Sequence, residues 1–238
     1  CLLLCLTMLP VSARAEEESS LSAHTIDRID AYVAREMVRG KIPGLSIAII
    51  HGDQIVYSAG YGTARDGGEA VTADTPFVLG SISKAFTALA VRQLVNTGVL
   101  DYRAKVIEYL PWFTTADKAQ SDKITILDLV NHTSGFSTAS GNGRYMGDSF
   151  SQEELVRSLS DVTLNRPVGA SEEYSNLNYL VLGQVIETVS GMPYADYIQQ
   201  NIFTPLGMTH SYTNEPAAQA DGLAAGHRIV YGYPLQTH

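Results

Sequence analysis

The sequence contains few cysteines, few charged residues and no excess of positive charge. Its two cysteines, Cys1 and Cys5, lie at the N-terminus, so no disulfide can form within the remainder of the chain. Charged residues make up 17% of the 238 residues, whereas an average globular protein has about 25%. The 16 basic and 25 acidic residues give a net charge of −9. Because no basic cluster interrupts the chain, a nucleic-acid partner is disfavoured.

Long hydrophobic runs are also scarce. The apolar run Cys1–Val11 is too short to span a bilayer, and Ala13-Arg14-Ala15 follows it in the pattern of a signal-peptide cleavage site. We therefore predict that residues 1–15 are a partial signal peptide, cleaved after Ala15. The protein is then expected to be exported to the periplasm, the cell envelope or the medium. A retained membrane anchor is the alternative interpretation.

Several kinds of catalytic centre have no support in the sequence. The six histidines are scattered and lack the spacing of zinc ligands, so no metal site is predicted. The chain contains no glycine-rich phosphate loop. Gly135-Phe136-Ser137-Thr138-Ala139 only approximates the G-x-S-x-G motif and lacks the strand-then-helix context that this motif requires. No cofactor is predicted.

The hydrophobic patterns predict a mixed α/β fold. Helical spacing over about 22–39 ends at Gly40, and two strands, Leu45–Ile50 and Gln54–Tyr57, are joined by a tight Gly52-Asp53 turn. A strongly apolar helix is predicted around Ala85–Val91, ending at Gly98, and its composition indicates burial on most sides. Further helices are predicted at Ile126–Val130, Gln152–Leu159, Leu177–Ser190 and Tyr194–Asn201.

The first motif with chemical meaning is Ser81-Ile82-Ser83-Lys84, at the start of that apolar helix. Residues three apart share a helix face, so the Lys84 amine can reach the Ser81 hydroxyl. A serine hydroxyl becomes a useful nucleophile when a neighbouring base takes its proton, and a partly desolvated lysine can serve. Ser-x-x-Lys is nevertheless common by chance, and taken alone it is better explained by a serine near a helix start and a solvated lysine than by a catalytic pair.

The second motif is Tyr174-Ser175-Asn176, which precedes a helix predicted to be amphipathic. In an extended segment, residues two apart point to the same side, so Tyr174 and Asn176 can face one cleft. A phenol next to a lysine ammonium ionises more easily and can act as a general base and then as an acid. Tyr212-Thr213-Asn214 repeats the pattern, but we set it aside because no helix is predicted behind it.

Four segments in order resemble the serine β-lactamase and D-alanyl-D-alanine carboxypeptidase family, class C type. They are Phe77–Lys84 with the nucleophile, the His-Thr-Ser-Gly loop within Leu129–Gly135, Tyr174–Asn176, and the turn Thr204–Met208. Each segment alone would be a weak signal, but their order and spacing agree with the family from about Ile26 to Tyr231.

The resemblance implies an α+β fold, in which an antiparallel sheet flanked by helices is accompanied by an all-helical subdomain, with the active site between them. We accordingly expect 16–238 to form one β-lactamase-related domain. Within it, about 22–74 would hold the N-terminal helix and hairpin, about 75–212 the mainly helical part, and 213–238 the start of the return to the sheet.

The resemblance also implies an acyl-enzyme mechanism. Ser81 would be the acylated nucleophile, Lys84 its activating partner and Tyr174 the general acid and base. Asn176 would bind the substrate amide, and His132 would lie in a structural loop. The expected substrate is a small molecule or peptide: a D-Ala-D-Ala-type peptide, a β-lactam or a small ester. A penicillin-recognising sensor or scaffold of the same fold is the alternative.

One part of the family's pattern is absent. Its third motif, Lys-Thr-Gly or His-x-Gly on a strand after the Tyr-x-Asn segment, has no match after Asn176, and His227-Arg228-Ile229 does not fit. With the missing initial Met, this predicts a chain that is truncated at its C-terminus and also at its start. The choice among β-lactamase, peptidase and esterase therefore stays open, as do the oligomeric state and a C-terminal membrane anchor.

Overall fold

The computed structural model describes residues 21–141, 150–230 and 233–237, so the predicted signal peptide lies outside the described residues. Contacts divide the chain into two compact units. Of the described residues, those before Pro76 and those from Gly222 onward form the first unit, and those from Pro76 to Asp221 form the second, helical unit. Within the described ranges, no helix combines the length and apolar character needed to cross a membrane.

The first unit begins with helix α1 (Ala23–Gly40). The Ser22 side chain caps its N-terminus by accepting the Thr25 N–H, as expected of an N-cap serine. At the other end Lys41, rather than the predicted Gly40, adopts the left-handed conformation with φ 54° and terminates the helix. The predicted helix is thus present, and its end lies one residue further along the chain.

An antiparallel hairpin follows, formed by β1 (Gly44–His51) and β2 (Gln54–Gly62). Gly52 takes φ +65° in the turn, which a residue with a Cβ adopts less readily. Both strands run beyond their predicted ends. The hydroxyls of Tyr57 and Tyr61 donate to the same Asp30 carboxylate oxygen at 2.8 and 2.6 Å, and this contact fastens β2 to α1.

A second antiparallel pair, β3 (His227–Val230) and β4 (Tyr233–Gln236), forms a separate two-stranded sheet in the same unit. These short strands were not predicted individually from the sequence. The start of the return to the sheet was predicted at residue 213, whereas residues up to Asp221 belong to the helical unit and the first unit resumes at Gly222.

The helical unit contains eight α-helices in its described residues. They are α2 (Ser83–Asn96), α3 (Val106–Tyr109), α4 (Lys118–Ser121), α5 (Ile126–Val130), α6 (Gln152–Arg157), α7 (Asn176–Ser190), α8 (Tyr194–Ile198) and α9 (Glu215–Ala220). A 3-10 turn, Gly80–Ile82, leads into α2, and a π-helical turn, Gln199–Phe203, extends α8. Two further 3-10 turns lie at Ala139–Gly141 and Ser158–Asp161.

Helix α7 lies at the centre of this unit and packs against α2, α5, α6 and α8. Nine of its fifteen residues are buried, and Leu177, Leu182, Val185 and Ile186 have no exposed surface. The prediction of an amphipathic helix here is therefore wrong. Apolar residues lie on nearly all faces of α7, because the neighbouring helices cover it from several directions.

Candidate active site

Ser81 lies in the 3-10 turn just before α2, not inside the α-helix itself. Gly80 adopts φ +54° at the entry of this turn, and the Ser83 hydroxyl donates to the Gly80 carbonyl at 2.7 Å. This turn leaves Ser81 exposed while Lys84, in the first turn of α2, is half-buried. Lys84 Nζ donates to Ser81 Oγ at 3.2 Å, which confirms that the two side chains share a face.

Tyr174 and Asn176 enter the site from the segment that leads into α7. Ser175 between them is extended, with φ −144° and ψ 132°, so its two neighbours point to the same side. The Thr138 hydroxyl donates to the Tyr174 carbonyl, and the Glu173 carboxylate accepts the Thr138 N–H at 2.9 Å. These bonds fix the backbone on which Tyr174 is mounted.

The four predicted site residues converge in the structure. Ser81 Oγ lies 2.5 Å from Tyr174 OH, and Lys84 Nζ lies 2.7 Å from Asn176 Oδ1. Tyr174 OH donates to the same Asn176 oxygen at 3.2 Å, and Lys84 Nζ lies 5.0 Å from the centre of the Tyr174 ring. Each group thus contacts at least two others, and all four lie in the helical unit.

The donors and acceptors assign a direction to this network. Lys84 is an obligate donor to Ser81, and the phenol hydrogen of Tyr174 is directed at Asn176, so the Ser81 hydrogen is directed at the Tyr174 oxygen. Partial burial raises the pKa of Tyr174, but hydrogen bonding with Lys84 and Ser81 and the positive charge of Lys84 outweigh it. The pKa of Tyr174 consequently falls below its ordinary value, and its oxygen is placed to accept the Ser81 proton.

His132 lies behind Tyr174 with its ring centre 4.8 Å from the centre of the Tyr174 ring. Its Nδ1 accepts the Ser175 N–H at 3.1 Å, so this nitrogen is not directed at Ser81 as the base of a triad would be. Burial lowers the pKa of His132, and the charge of Lys84 lowers it further. Neutral His132 is therefore part of the support of the Tyr174 segment.

Two polar residues belong to this support, and their role was not predicted from the sequence. Asn178 and Ser134 are completely buried; Ser134 Oγ donates to Asn178 Oδ1 at 2.5 Å, and Asn178 Nδ2 lies 2.9 Å from His132 Nδ1. A signal for Asn178 was present, because it is an isolated amide within an otherwise apolar run. Buried polar groups of this kind need partners, and a hydrogen-bonded cluster is the usual solution.

The structure also settles two motifs that the sequence analysis set aside. Ser137, the serine of the near-match to G-x-S-x-G, shares a hydrogen bond of 2.6 Å with the Ser140 hydroxyl. Behind Tyr212 a helix does exist, since Asn214 caps α9, so the stated reason for rejecting that copy was wrong. Tyr212 is hydrogen-bonded to Asp221 instead of to any of the four site residues.

A cavity of about 270 Å³ adjoins the cluster between α2 and α7. Lys84 and Asn176 of the cluster line it, and Thr87, Gln152 and Tyr194 contribute further polar groups. No group of three or more potential metal ligands occurs within the described ranges. The site is assembled from a hydroxyl, an amine, a phenol and an amide.

This fold, with a serine, a lysine and a tyrosine converging beside a buried helix, defines a protein of the β-lactamase and transpeptidase-like class. The family model described as Beta-lactamase matches residues 29–233, and the chain therefore belongs to the beta-lactamase family. Both the predicted family and the predicted fold class are confirmed.

Three relatives illustrate the range of the family. Penicillin-binding protein 4 of Amycolatopsis lactamdurans is 32% identical over 210 residues, covering 86% of this chain and 52% of the relative. A class C beta lactamase of known structure is 26% identical with a TM-score of 0.75, covering 94% of this chain and 59% of that one. EstCE1, described as a hydrolase with promiscuous acyltransferase activity, is 25% identical with a TM-score of 0.78, covering 90% and 60%. The chain thus spans about half the length of the proteins it matches.

Proposed function

We propose that the protein is a serine hydrolase that cleaves an amide or ester through an acyl-enzyme on Ser81. Ser81 Oγ attacks the substrate carbonyl carbon while its proton passes to the oxygen of Tyr174, which reacts in its phenolate form. The tetrahedral intermediate then expels the amine or alcohol, which takes a proton from Tyr174. In the second half-reaction, water attacks the carbonyl carbon of the ester on Ser81. A proton of that water is transferred to Ser81 Oγ as the bond to Ser81 breaks, which restores the serine hydroxyl and releases the acid product.

The observation that carries this proposal is the shared contact of Ser81 with both Tyr174 and Lys84. A serine hydroxyl reacts slowly unless a base lies within hydrogen-bond reach, and the 2.5 Å contact with Tyr174 meets that condition. The Lys84 ammonium, 3.2 Å from Ser81 Oγ, stabilises the Tyr174 phenolate that takes the proton and the negative charge that develops on the attacking oxygen. Asn176 holds Lys84 in place and is the group assigned to the substrate amide.

The position of Ser81 also favours stabilisation of the oxyanion. The Ser81 N–H lies in the turn before α2, where backbone N–H groups at a helix start and the positive end of the helix dipole favour negative charge. A carbonyl attacked by Ser81 Oγ would direct its oxygen toward this N–H. We assign the Ser81 N–H as one of the oxyanion donors.

The substrate class is inferred from the relatives. The relatives named above comprise a penicillin-binding protein, a class C beta lactamase and a hydrolase with acyltransferase activity. All three descriptions are compatible with acyl transfer from an amide or ester to a serine. We therefore propose a D-Ala-D-Ala-type peptide, a β-lactam or a small ester as the substrate, with no cofactor.

Covalent labelling tests the proposal. In the full-length protein, a fluorophosphonate or a fluorescent penicillin should label Ser81, located by mass spectrometry of the adduct. Ser81→Ala should abolish labelling, whereas Ser137→Ala, a matched serine outside the cluster, should label like the wild type. An adduct on another serine, or labelling that survives Ser81→Ala, would contradict the assignment. Labelling without hydrolysis of any ester, peptide or β-lactam would instead support the sensor alternative.

We also propose that the protein acts outside the cytoplasm. The support is the apolar run that ends in Ala13-Arg14-Ala15, the pattern of a signal-peptide cleavage site. An exported mature form would begin at Glu16, and N-terminal sequencing of the protein from a secretion-competent bacterial host decides between cleavage and a retained anchor.

A further inference from the structure

The His-Thr-Ser-Gly loop and the Tyr-Ser-Asn segment are joined by a buried chain of hydrogen bonds centred on His132. The Ser175 N–H and the Asn178 amide both lie within hydrogen-bond distance of His132 Nδ1, at 3.1 and 2.9 Å. On the far side of Asn178, its Oδ1 accepts from Ser134 Oγ. A backbone hydrogen bond also joins the two segments, since the Glu173 N–H donates to the His132 carbonyl at 2.9 Å.

The proton positions in this chain can be deduced. A backbone N–H can only donate, so Nδ1 of His132 must present its lone pair to Ser175. The Asn178 side chain must then direct its NH₂ group at Nδ1 and its oxygen at Ser134. Every member of the chain has one compatible orientation, which gives the loop and the Tyr174 segment a fixed relative geometry.

The His132 ring is itself in contact with the reacting phenol. Its centre lies 4.8 Å from that of Tyr174 and 5.3 Å from that of Tyr179, so the ring lies against both aromatic side chains. His132 holds φ +58°, which few residues with a side chain adopt, and the surrounding contacts maintain that conformation. The ring is thus held rigidly against Tyr174.

We propose that His132 is a positioning residue that keeps Tyr174 within reach of Ser81 and Lys84. This inference rests on the proposed function of Tyr174 as the general base. The His132 ring packs against the Tyr174 ring and holds its orientation. The hydrogen bond from the Ser175 N–H to His132 holds the backbone between Tyr174 and Asn176. If the phenol moved away from Lys84, it would lose both its contact with Ser81 and the influence that lowers its pKa.

The charged and titratable groups around His132 are Lys84 of α2, Glu172 of the segment that leads into α7, and the phenols of Tyr174 and Tyr179. Burial lowers the pKa of His132, the Lys84 charge lowers it further, and Glu172 opposes this only in part. His132 therefore stays neutral at and above neutral pH. A change in the pH dependence over that range reports on Tyr174 and not on the titration of His132 itself.

The test is the rate at which a fluorophosphonate labels Ser81 in the full-length protein, measured from pH 6 to 10 and normalised to the folded fraction. His132→Asn retains an acceptor near the position of Nδ1 and tolerates positive φ, but removes the ring. We expect labelling to slow by about 10- to 100-fold, the cost of a small misplacement of a catalytic group. The rise of the rate with pH should move to higher pH by about one unit, because the phenol loses the influence of Lys84.

His210→Asn is the matched control. This histidine pairs with Asp221 at 2.7 Å in another part of the helical unit, and its substitution should leave the rate and the pH profile unchanged. If folded His132→Asn labels at the wild-type rate with the wild-type pH profile, His132 has only a structural role and the inference is wrong.

A second variant decides the matter if His132→Asn does not fold. Asn178→Leu preserves the ring of His132 but removes the amide that orients it, and it should shift the pH profile in the same direction by a smaller amount. An unchanged profile in this variant overturns the inference. Failure of the wild type to label at Ser81 is a different result, since it overturns the proposed function and with it the role of Tyr174.

Discussion

Tyr174 is subject to opposing influences on its pKa. Its partial burial favours the neutral phenol, while Lys84 and Ser81 favour the phenolate, and the second influence is the stronger. A base is most effective when its pKa lies near the working pH, so the lowered pKa brings Tyr174 closer to that condition. The ordinary phenol pKa of 10.0 would leave little phenolate at neutral pH.

The proposed role of Tyr174 predicts how the acylation rate depends on pH. If the phenolate is the base, the acylation rate rises as pH increases through the pKa of Tyr174, and the rise occurs below pH 10 because that pKa is lowered. Tyr174→Phe should slow acylation by about 10²–10⁴-fold and remove this rise. Stopped-flow kinetics with an activated ester would measure both effects, and a variant that keeps the wild-type pH profile would exclude Tyr174 as the base.

The sequence predicted the four residues of the cluster and a structural place for His132, but not the buried partners that hold His132. Ser81, Lys84, Tyr174 and Asn176 fall in motifs whose spacing has a direct chemical meaning. The contacts of Asn178 with His132 bridge two segments 46 residues apart, and no local pattern encodes such a pairing. Buried polar clusters of this kind follow from tertiary packing and are visible only once the helices are in place.

At the scale of elements, the three longest helices have a clear periodic signal in the sequence, and three short ones, α5, α6 and α8, were predicted as well. Helices α1, α2 and α7 are long enough for several repeats of the 3.6-residue pattern. The short helices α3, α4 and α9 have one turn or little more, so they carry no periodic signal. They depend on their N-terminal caps, such as Asp117 for α4 and Asn214 for α9.

The central position of α7 predicts a large effect of truncating its buried side chains. Leu182 has no exposed surface, and Leu182→Ala should lower the free energy of unfolding by about 2–5 kcal/mol through lost burial and a new cavity. Leu206→Ala is the matched control, because Leu206 is 63% exposed and its truncation should change stability by about 0.5 kcal/mol or less. Urea denaturation measures both, and equal effects would contradict the central role of α7.

At the scale of the whole molecule, the two units differ in how much apolar surface they bury. The main hydrophobic cluster lies entirely within the helical unit, between Ala90 and Phe203. Among the described residues of the first unit, the buried hydrophobic side chains are only Val33, Ala64, Val71 and Ala224. Since apolar burial is the main term that opposes chain entropy, the two units should differ in their ability to fold alone.

We accordingly predict that residues 76–221 fold by themselves, whereas residues 21–75 do not. The helical fragment carries its own core, and it should show helical circular dichroism and a cooperative thermal transition. The N-terminal fragment has a single hairpin, which is marginally stable in water, and it exposes Ile50 and Ile55, each 66% accessible. It should therefore be largely unfolded or aggregated. A non-cooperative transition of the helical fragment would contradict the prediction, because it would mean that the core between Ala90 and Phe203 depends on the first unit for its packing.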